Sequence, residues 1–268
     1  SQSALIICCL QHALLIRARF CRHNAAFSAI GYSILMNASA LQKAPLPRLL
    51  FGLRGWRHPQ WIGGFYPEDM PEEWWISYYS NEFRSVLVPQ EYFHNTSSDQ
   101  VQSWIDDTDE QFVFFAEMPL SLPWQQTEQL LQPLTPQLGG LTVDMEKFQG
   151  LDVNNTEAIL HQAAIIGPLI IDWSRVSAAI KPVMQQVQAG CYWRHPQQSL
   201  SRCDGKSAVV EIDCGDDAQA VLDARALRDF VESCISIEGT STIGVYFDGN
   251  DSAMKQARDA QMIYQMLG

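Results

Sequence analysis

The chain has 268 residues, of which 47% are hydrophobic, and a formal net charge of −12. This length suits one large domain or two small ones, and the apolar content is sufficient for a packed core. We expect no nucleic-acid partner, because phosphate binding needs clustered lysines and arginines. We also expect no membrane partner, because the apolar run at residues 4–16 is too short to span a bilayer.

The first 48 residues contain five basic side chains and no Asp or Glu. Three interpretations stay open. The segment could be an organelle presequence, because such presequences are typically rich in arginine and poor in acidic residues. It could be an additional helix, because residues 4–20 are apolar enough to form one. It could also be translated sequence upstream of a functional start at Met36. We therefore divide the chain into an N-terminal extension (residues 1–48) and a main domain (residues 49–268).

Short apolar runs alternate with longer amphipathic ones after residue 48, which is typical of an α/β protein. The predicted strands cover residues 49–53, 85–88, 112–116, 140–145, 169–173, 191–193, 208–212 and 242–247. The predicted helices cover residues 71–81, 98–106, 125–131, 155–165, 177–188, 218–233 and 252–266. This order predicts a compact (β/α)₈ TIM-type barrel in which a loop at residues 195–206 replaces one helix. The alternative is an open doubly wound sheet, but no G-x-G-x-x-G motif follows a strand.

The segment at residues 52–67 combines four glycines, two tryptophans and a Phe-Tyr-Pro sequence. Glycines allow sharp turns and close backbone approach, and large aromatic side chains beside them line a pocket or close the end of a barrel. The glycines and aromatic residues of this segment resemble the opening motif of the YecE-like family, domain of unknown function 72, which reads G-T-S-G-W and then F-Y-P. Residues 74–79, 83–86, 112–116 and 245–251 continue the resemblance. The chain is identified as a divergent member of that family.

Active sites of TIM-type barrels form from the loops that follow the strands. The candidate catalytic residues in these loops are His58, Glu91, Asp172, Asp213 and Asp248, and the candidate ligand-binding residues are Trp56, Arg57, Trp61, Tyr66 and Arg194. Asp213, Asp248 and Asp251 are candidate ligands of a divalent metal ion. The alternative for the aspartates is helix capping, and for His58 it is a structural histidine.

The chain departs from the family pattern where the family has polar or basic residues. Leu87 replaces a Glu, Pro89 replaces an Asn, Glu117 replaces a Lys, and Glu211 and Asp213 occupy the place of an Arg and a His. The resemblance therefore implies a pocket that is normally partly basic and is acidic in this chain. An acidic pocket repels anions.

The sequence leaves the function open. The first hypothesis is a barrel protein that has an altered pocket and has lost or changed the family's ligand site. The second is a metal-assisted or acid–base hydrolase that acts on a small-molecule ligand through the carboxylates of the loops. The third is a protein-interaction module that uses exposed aromatic residues. The seven cysteines form no C-x-x-C pair, which indicates reduced thiols and a cytoplasmic location.

Overall fold

Eight strands and seven α-helices alternate in the computed structural model, which describes residues 46–148, 152–215, 222–249 and 251–267. The strands are β1 (Arg48–Leu53), β2 (Ser85–Val88), β3 (Val113–Glu117), β4 (Leu138–Val143), β5 (Leu169–Ile171), β6 (Gly190–His195), β7 (Ser207–Asp213) and β8 (Thr242–Asp248). The helices are α1 (Trp75–Glu82), α2 (Ser98–Asp106), α3 (Trp124–Leu131), α4 (Val153–Ile166), α5 (Lys181–Gln186), α6 (Ala224–Ile235) and α7 (Asp251–Leu267). The three hypotheses for the N-terminal extension concern residues that lie almost entirely outside the described ranges.

The strands form a nearly closed barrel. Their order is β1-β8-β7-β6-β5-β4-β3-β2, and all the paired neighbours are parallel. The two ends of this order, β1 and β2, meet at a bridge between Arg54 and Leu87. There the Gly55 N–H donates to the Leu87 carbonyl oxygen at 2.8 Å. The predicted (β/α)₈ barrel is confirmed, and the alternative of an open sheet is wrong.

Apolar side chains fill the inside of the barrel. Successive residues of a strand point to opposite faces, so one set of residues faces inward and the other packs under the helices. The inward set is Leu50, Leu87, Phe115, Ile170, Val209 and Tyr246, each at most 4% exposed. The larger apolar cluster lies between the strands and the helices. A ligand can therefore meet the barrel interior only at its ends.

Local signals explain where several helices begin. Ser97 and Gln100 form a capping box at the start of α2, which satisfies backbone N–H groups that have no partner inside the helix. Asp223 accepts the N–H groups of two following residues at the start of α6. Pro182 occupies the second position of α5, which is shorter than the helix predicted at residues 177–188. The first residues of the helix predicted at 218–233 lie in the undescribed range 216–221.

Candidate functional site

A polar pocket of about 240 Å³ lies at the carboxyl ends of the strands. It is built by alternation within the strands, because residues two apart share a face. Leu50 of β1 is buried in the barrel, and Arg54, four residues later and just past the end of β1, lines the pocket. On β7, Val209 is buried in the barrel and Glu211, two residues later, lines the pocket. The pocket therefore rests on the apolar interior and is surrounded by charged side chains.

The pocket lining is mixed in charge, where the sequence led us to expect an acidic pocket. Its acidic residues are Glu117, Asp144, Asp172 and Glu211, and its basic residues are Arg54, Lys147, Arg175 and Arg194. The expectation took account of the acids that replace basic residues of the family pattern. The expectation did not include Arg54 and Lys147, whose positive charges balance the negative charges of the acidic residues.

Arg54 is the centre of one group of ion pairs. Its Nε and Nη2 donate to the two carboxylate oxygens of Glu117 at 2.7 and 3.0 Å. Its terminal nitrogens also reach Glu91 at 3.2 and 3.3 Å, and Glu211 lies 4.0 Å away. Burial alone would lower the pKa of Arg54, but the hydrogen bond and charge of Glu117, with the charge of Glu91, raise it above its ordinary value. The guanidinium is therefore a permanent cation whose charge these carboxylates already neutralise.

Glu211 is a largely buried carboxyl group on β7. The Tyr192 hydroxyl donates a short hydrogen bond to it, and Arg194 Nε lies 3.5 Å from its Oε2. Burial raises the pKa of Glu211, and the charge of Asp248 adds to this, whereas the hydrogen bond from Tyr192 and the charge of Arg194 oppose it. The net shift favours a protonated carboxyl group, which can donate a proton.

Asp172 follows β5, and its environment lowers its pKa, whereas that of Glu211 raises the pKa. Its Oδ1 accepts hydrogen bonds from the Ser174 N–H at 3.0 Å and the Ser174 hydroxyl at 2.5 Å, and its Oδ2 accepts one from Gln198 at 3.0 Å. Arg175 lies 3.3 Å from the same Oδ2 and Arg194 lies 3.9 Å from it. Burial would raise the pKa of Asp172, but these hydrogen bonds and the charge of Arg175 lower it. Asp172 is therefore a stable carboxylate.

The candidate aromatic residues are buried and lie outside the lining of this pocket. Trp56, Trp61 and Tyr66 are each 1% exposed. The Tyr66 hydroxyl donates to the Trp56 carbonyl oxygen at 2.7 Å, and the Tyr66 ring stacks on Trp75 with centroids 4.8 Å apart. These side chains hold the segment after β1 against α1. Their size suits them to burial as well as to ligand contact, and the sequence alone does not distinguish the two.

Arg57 and His58 also have structural partners. The Arg57 guanidinium lies 5.0 Å from the Tyr92 ring centroid and 5.6 Å from that of Trp56, and its Nε is 3.6 Å from Glu72. His58 Nε2 must donate to the Arg54 carbonyl oxygen, 3.0 Å away, because a carbonyl oxygen only accepts. Burial lowers the pKa of His58, which favours the neutral ring. Neither residue lines the pocket, and the geometry supports the structural alternative for His58.

The three candidate metal ligands are not brought together as a metal site. Asp213 and Asp248 are neighbours in the register of β7 and β8, but Asp213 is exposed and its Oδ1 accepts the Gly215 N–H at 2.8 Å. Asp251 is the exposed first residue of α7. Within the described ranges, no group of three or more His, Cys, Asp or Glu side chains is arranged to hold a metal ion.

The carboxyl group of Asp248 is half-buried beside the pocket. Burial raises its pKa, and the charge of Asp213 acts in the same direction, while Arg54 and His58 oppose the shift. Of the five candidate catalytic residues, Asp172 lines the pocket and Glu91 reaches its rim through Arg54. Arg194 is the candidate ligand-binding residue that does line the pocket.

Two important pocket residues, Arg54 and Tyr192, were not considered from the sequence, and Glu211 was named only as a departure from the family pattern and not as a catalytic candidate. A signal for Arg54 was present, because it follows Gly52 and Leu50 on the inward face of β1 with a spacing of two. The same spacing leads from Val209 to Glu211 on β7. Tyr192 had no such signal, since the predicted sixth strand was only three residues long.

Comparisons with known proteins identify the family that the chain resembles. The sequence profile of the family described as "Protein of unknown function DUF72" matches residues 50–164. A DUF72 family protein from Thermotoga maritima is 13% identical with a TM-score of 0.57, and the alignment covers 81% of this chain and 99% of that one. One from Enterococcus faecalis is 14% identical with a TM-score of 0.54, over 81% of this chain and 95% of that one. At these identities, the likeness shows the fold alone.

No curated protein matches the chain. Within the described residues, every helix is too short or too polar to cross a bilayer.

Proposed function

This chain is a member of the DUF72 family, whose function is unknown, and we propose that it is an acid–base enzyme for a small, neutral, hydroxylated molecule. The proposal rests on the position of Arg194 between two carboxyl groups in different environments. Arg194 lies 3.5 Å from Glu211 and 3.9 Å from Asp172. Environments that move two pKa values apart are characteristic of acid–base pairs. Glu211 is the proton donor, and Asp172 is the carboxylate that orients the substrate or accepts a proton.

The charge balance of the pocket supports a neutral ligand. Arg54 is paired with Glu117 and Glu91, and Arg175 lies 3.0 Å from Glu146 and 3.3 Å from Asp172. An anionic ligand must displace one of these carboxylates, and a cationic ligand must displace an arginine. Hydroxyl groups donate to carboxylates and accept from guanidinium groups without breaking the ion pairs. We therefore infer that the family's ligand site is altered in this chain.

The size of the pocket supports a small ligand. Its volume of about 240 Å³ lies below the range of roughly 300–1,000 Å³ that is common for drug-sized ligands. A monosaccharide or a short polyol is the class that combines this size with several hydroxyl groups and no charge. Among the described residues, no three His, Cys, Asp or Glu side chains are grouped so that they could hold a metal ion. We therefore narrow the hydrolase hypothesis to acid–base chemistry.

A ligand panel tests the binding part of the proposal. Neutral monosaccharides, their methyl glycosides and polyols are each paired with a phosphate ester or carboxylic acid of the same carbon skeleton. We expect at least one neutral member to raise the melting temperature and its charged counterpart to have no effect. Stabilisation by the charged members alone would contradict the proposal.

Variants then test the chemistry. Each neutral molecule that binds is incubated with the protein, and its conversion is followed by NMR. Glu211→Gln and Asp172→Asn should abolish conversion while binding persists, and Glu128→Gln, an exposed change in α3, should leave both unchanged. Binding without conversion by the wild-type chain would show a ligand-binding protein and refute the enzyme.

Exposed aromatic residues support protein interaction as a second candidate function. Trp74 is 60% exposed, Tyr78 is 38% exposed, and Ile62 is 43% exposed. The ring of Tyr78 lies 5.3 Å from that of Phe65 and 5.9 Å from that of Tyr66, so it joins the buried aromatic segment to the surface. If this surface binds a protein, Trp74→Ala should abolish co-purification of the protein partner that the wild-type chain retains. Thermal unfolding should show that the variant is as stable as the wild type. A partner that still co-purifies with the variant would exclude this surface as the binding site.

A further inference from the structure

Two cysteines meet on the outer side of β6. Tyr192 packs against the barrel interior, so alternation along the strand turns Cys191 toward the outer layer. Cys203 lies in the loop between β6 and β7, and its Sγ accepts a hydrogen bond from the backbone N–H of Cys191 at 3.2 Å. Both residues are buried, with exposures of 8% for Cys191 and 0% for Cys203. The fold therefore places two free thiols beside each other.

Two glycines allow the loop to lie this close to the strand. A Cβ at Gly205 would lie 2.3 Å from the Cα of Gly190, and a Cβ at Gly190 would lie 1.8 Å from the carbonyl oxygen of Ser207. A larger residue at Gly205 would push the loop away from β6, and one at Gly190 would collide with the start of β7. The loop is held from its other side by the Cys203 N–H, which donates to the Glu238 carbonyl oxygen at 2.9 Å. The pairing of the thiols is thus fixed by backbone packing.

The two sulfur atoms differ in their hydrogen bonds. The hydrogen bond from the Cys191 thiol lowers the pKa of Cys203 against the opposing effect of burial, and the N–H groups of Gly205 and Cys191 lower it further. The same hydrogen bond, together with burial, raises the pKa of Cys191. A thiolate is the reactive form of cysteine, so the direction of the two shifts favours Cys203 as the nucleophile and Cys191 as its partner.

A cavity of about 720 Å³ lies beside the pair. Cys191 lines it, together with Met184, Trp193 and Ser201. A molecule as small as hydrogen peroxide can therefore reach Cys191 from this side, and the fully buried Cys203 lies next to it, with its Sγ 3.2 Å from the Cys191 backbone nitrogen.

We propose that Cys191 and Cys203 form an oxidation-sensitive dithiol that hydrogen peroxide converts to an intramolecular disulfide. The Cys203 thiolate attacks one peroxide oxygen, the O–O bond breaks, and the departing hydroxide takes up a proton to form water. The resulting sulfenic acid is attacked by the Cys191 sulfur, which forms the S–S bond, loses its proton and releases a second water. Two thiols are oxidised by two electrons, and one peroxide is reduced to two waters.

The loop that carries Cys203 also contacts the polar pocket. Its Gln198 donates to Asp172 at 3.0 Å and accepts the backbone N–H of Arg194 at 2.9 Å. A disulfide at Cys203 would join this loop covalently to β6. The dithiol is therefore a modification site in the segment that positions Asp172 and Arg194, whatever molecule the pocket binds.

Peptide mapping of the full wild-type chain tests the proposal. The protein is exposed to hydrogen peroxide until free glutathione in a parallel sample is fully oxidised, and the remaining thiols are then alkylated and the digest analysed by mass spectrometry. We expect a peptide pair linked through Cys191 and Cys203 that disappears after reduction with dithiothreitol. Recovery of both cysteines as alkylated thiols, or their conversion to separate sulfinic acids, would overturn the proposal.

Two variants locate the chemistry. In Cys191→Ser, we expect no linked peptide and a sulfenic acid at Cys203 that dimedone traps. Cys234→Ser changes another buried cysteine, in α6, and should leave the linked peptide at its wild-type yield. Loss of the linked peptide in Cys234→Ser would show that the bond depends on general packing rather than on the pair. The wild-type result decides the question even if Cys191→Ser does not fold.

Discussion

Replacement of Arg54 by methionine tests whether the charges at the mouth of the barrel stabilise one another. The Arg54 side chain is 23% exposed, and those of its partners Glu117 and Glu211 are 20% and 13% exposed. Methionine retains most of the apolar stem and removes the guanidinium. The variant therefore leaves two largely buried carboxyl groups without their shared cation, with little change in packing.

The expected loss of stability follows from this degree of burial. Removal of one partner from a buried ion pair costs about 3–5 kcal/mol, whereas an exposed pair contributes about 0–1 kcal/mol. The side chains around Arg54 are closer to the buried case but retain some contact with solvent. We therefore expect Arg54→Met to lower the free energy of unfolding by about 2–3 kcal/mol at pH 8.

The loss should depend on pH in a defined direction. Burial already raises the pKa of Glu211, and Arg54 partly opposes that shift. Removal of Arg54 raises the folded-state pKa of Glu211 further above its unfolded value. A carboxyl group of this kind contributes stability below the unfolded pKa and loses it as pH rises through the folded pKa. The variant should therefore lose less stability at pH 5 than at pH 8.

Denaturant unfolding followed by tryptophan fluorescence at both pH values measures these changes. Arg84→Met is the matched control, because Arg84 pairs with Asp109 at 3.4 Å and both side chains are more than half exposed. It should lose about 0–1 kcal/mol at either pH. Equal losses in the two variants, or a loss in Arg54→Met that does not change with pH, would refute the reasoning.

Three further outcomes follow from the same structure. Glu211→Gln should gain stability relative to the wild type as pH rises above about 4.3, because the variant has no carboxyl group to ionise in the buried site; parallel pH profiles in denaturant unfolding would contradict this. Trp61→Ala should lose about 3–5 kcal/mol, and Trp74→Ala, at an exposed position, should stay within about 0.5 kcal/mol; thermal unfolding compares them, and similar losses would contradict the assigned burial. Inorganic phosphate at millimolar concentration should give no binding heat in calorimetry, because the arginines of the pocket are paired; phosphate affinity that Arg194→Met abolishes would contradict that pairing.

The fold was predictable because the local sequence signals for strands and helices agree with the barrel that the folded chain forms. The strand at residues 85–88 and the helix at residues 98–106 have the predicted boundaries. The first is a short apolar run and the second begins at a capping box, so neither depends on distant contacts. The helix at residues 177–188 was predicted too long, because its amphipathic pattern continues past the point where the backbone leaves the helix. Periodicity indicates the type of an element more reliably than its ends.

The site was less predictable because the large aromatic residues of the opening motif are buried away from the pocket. Trp56, Trp61 and Tyr66 attracted attention by their type, and burial depends on tertiary contacts that no local pattern reveals. Arg54 lies in the same motif, and only its position on the inward face of β1 distinguishes it from Arg57. The sequence analysis expected a site in the loops after the strands, which is also where the polar pocket lies, and strand register was needed to select the side chains that line this pocket.

The departures from the family pattern are better explained together than one at a time. The resemblance to the family motif G-T-S-G-W implies Ser where this chain has Arg54, and the resemblance at the next two strands implies Glu where it has Leu87 and Lys where it has Glu117. Arg54 directly follows β1, and Leu87 and Glu117 lie on β2 and β3, so the three positions are consecutive around the barrel. A cation and an anion are present in both arrangements, but their strands differ. Leu87, which lies between them, carries no charge. Arg54 therefore pairs with Glu117, to which it donates two hydrogen bonds of 2.7 and 3.0 Å.

We propose that such compensation reflects a rearranged site rather than a decayed one, because independent losses would not preserve the charge balance. If this is correct, Arg54→Ser and Glu117→Lys should each destabilise the chain, and the triple change Arg54→Ser/Leu87→Glu/Glu117→Lys should recover most of the loss. Neighbouring changes that share a network typically show interaction energies of about 0.5–3 kcal/mol. Unfolding free energies of the single, double and triple variants measure this coupling. A triple variant whose loss equals the sum of the single losses would show that the three positions changed independently and that the balance of charge at the mouth is coincidental.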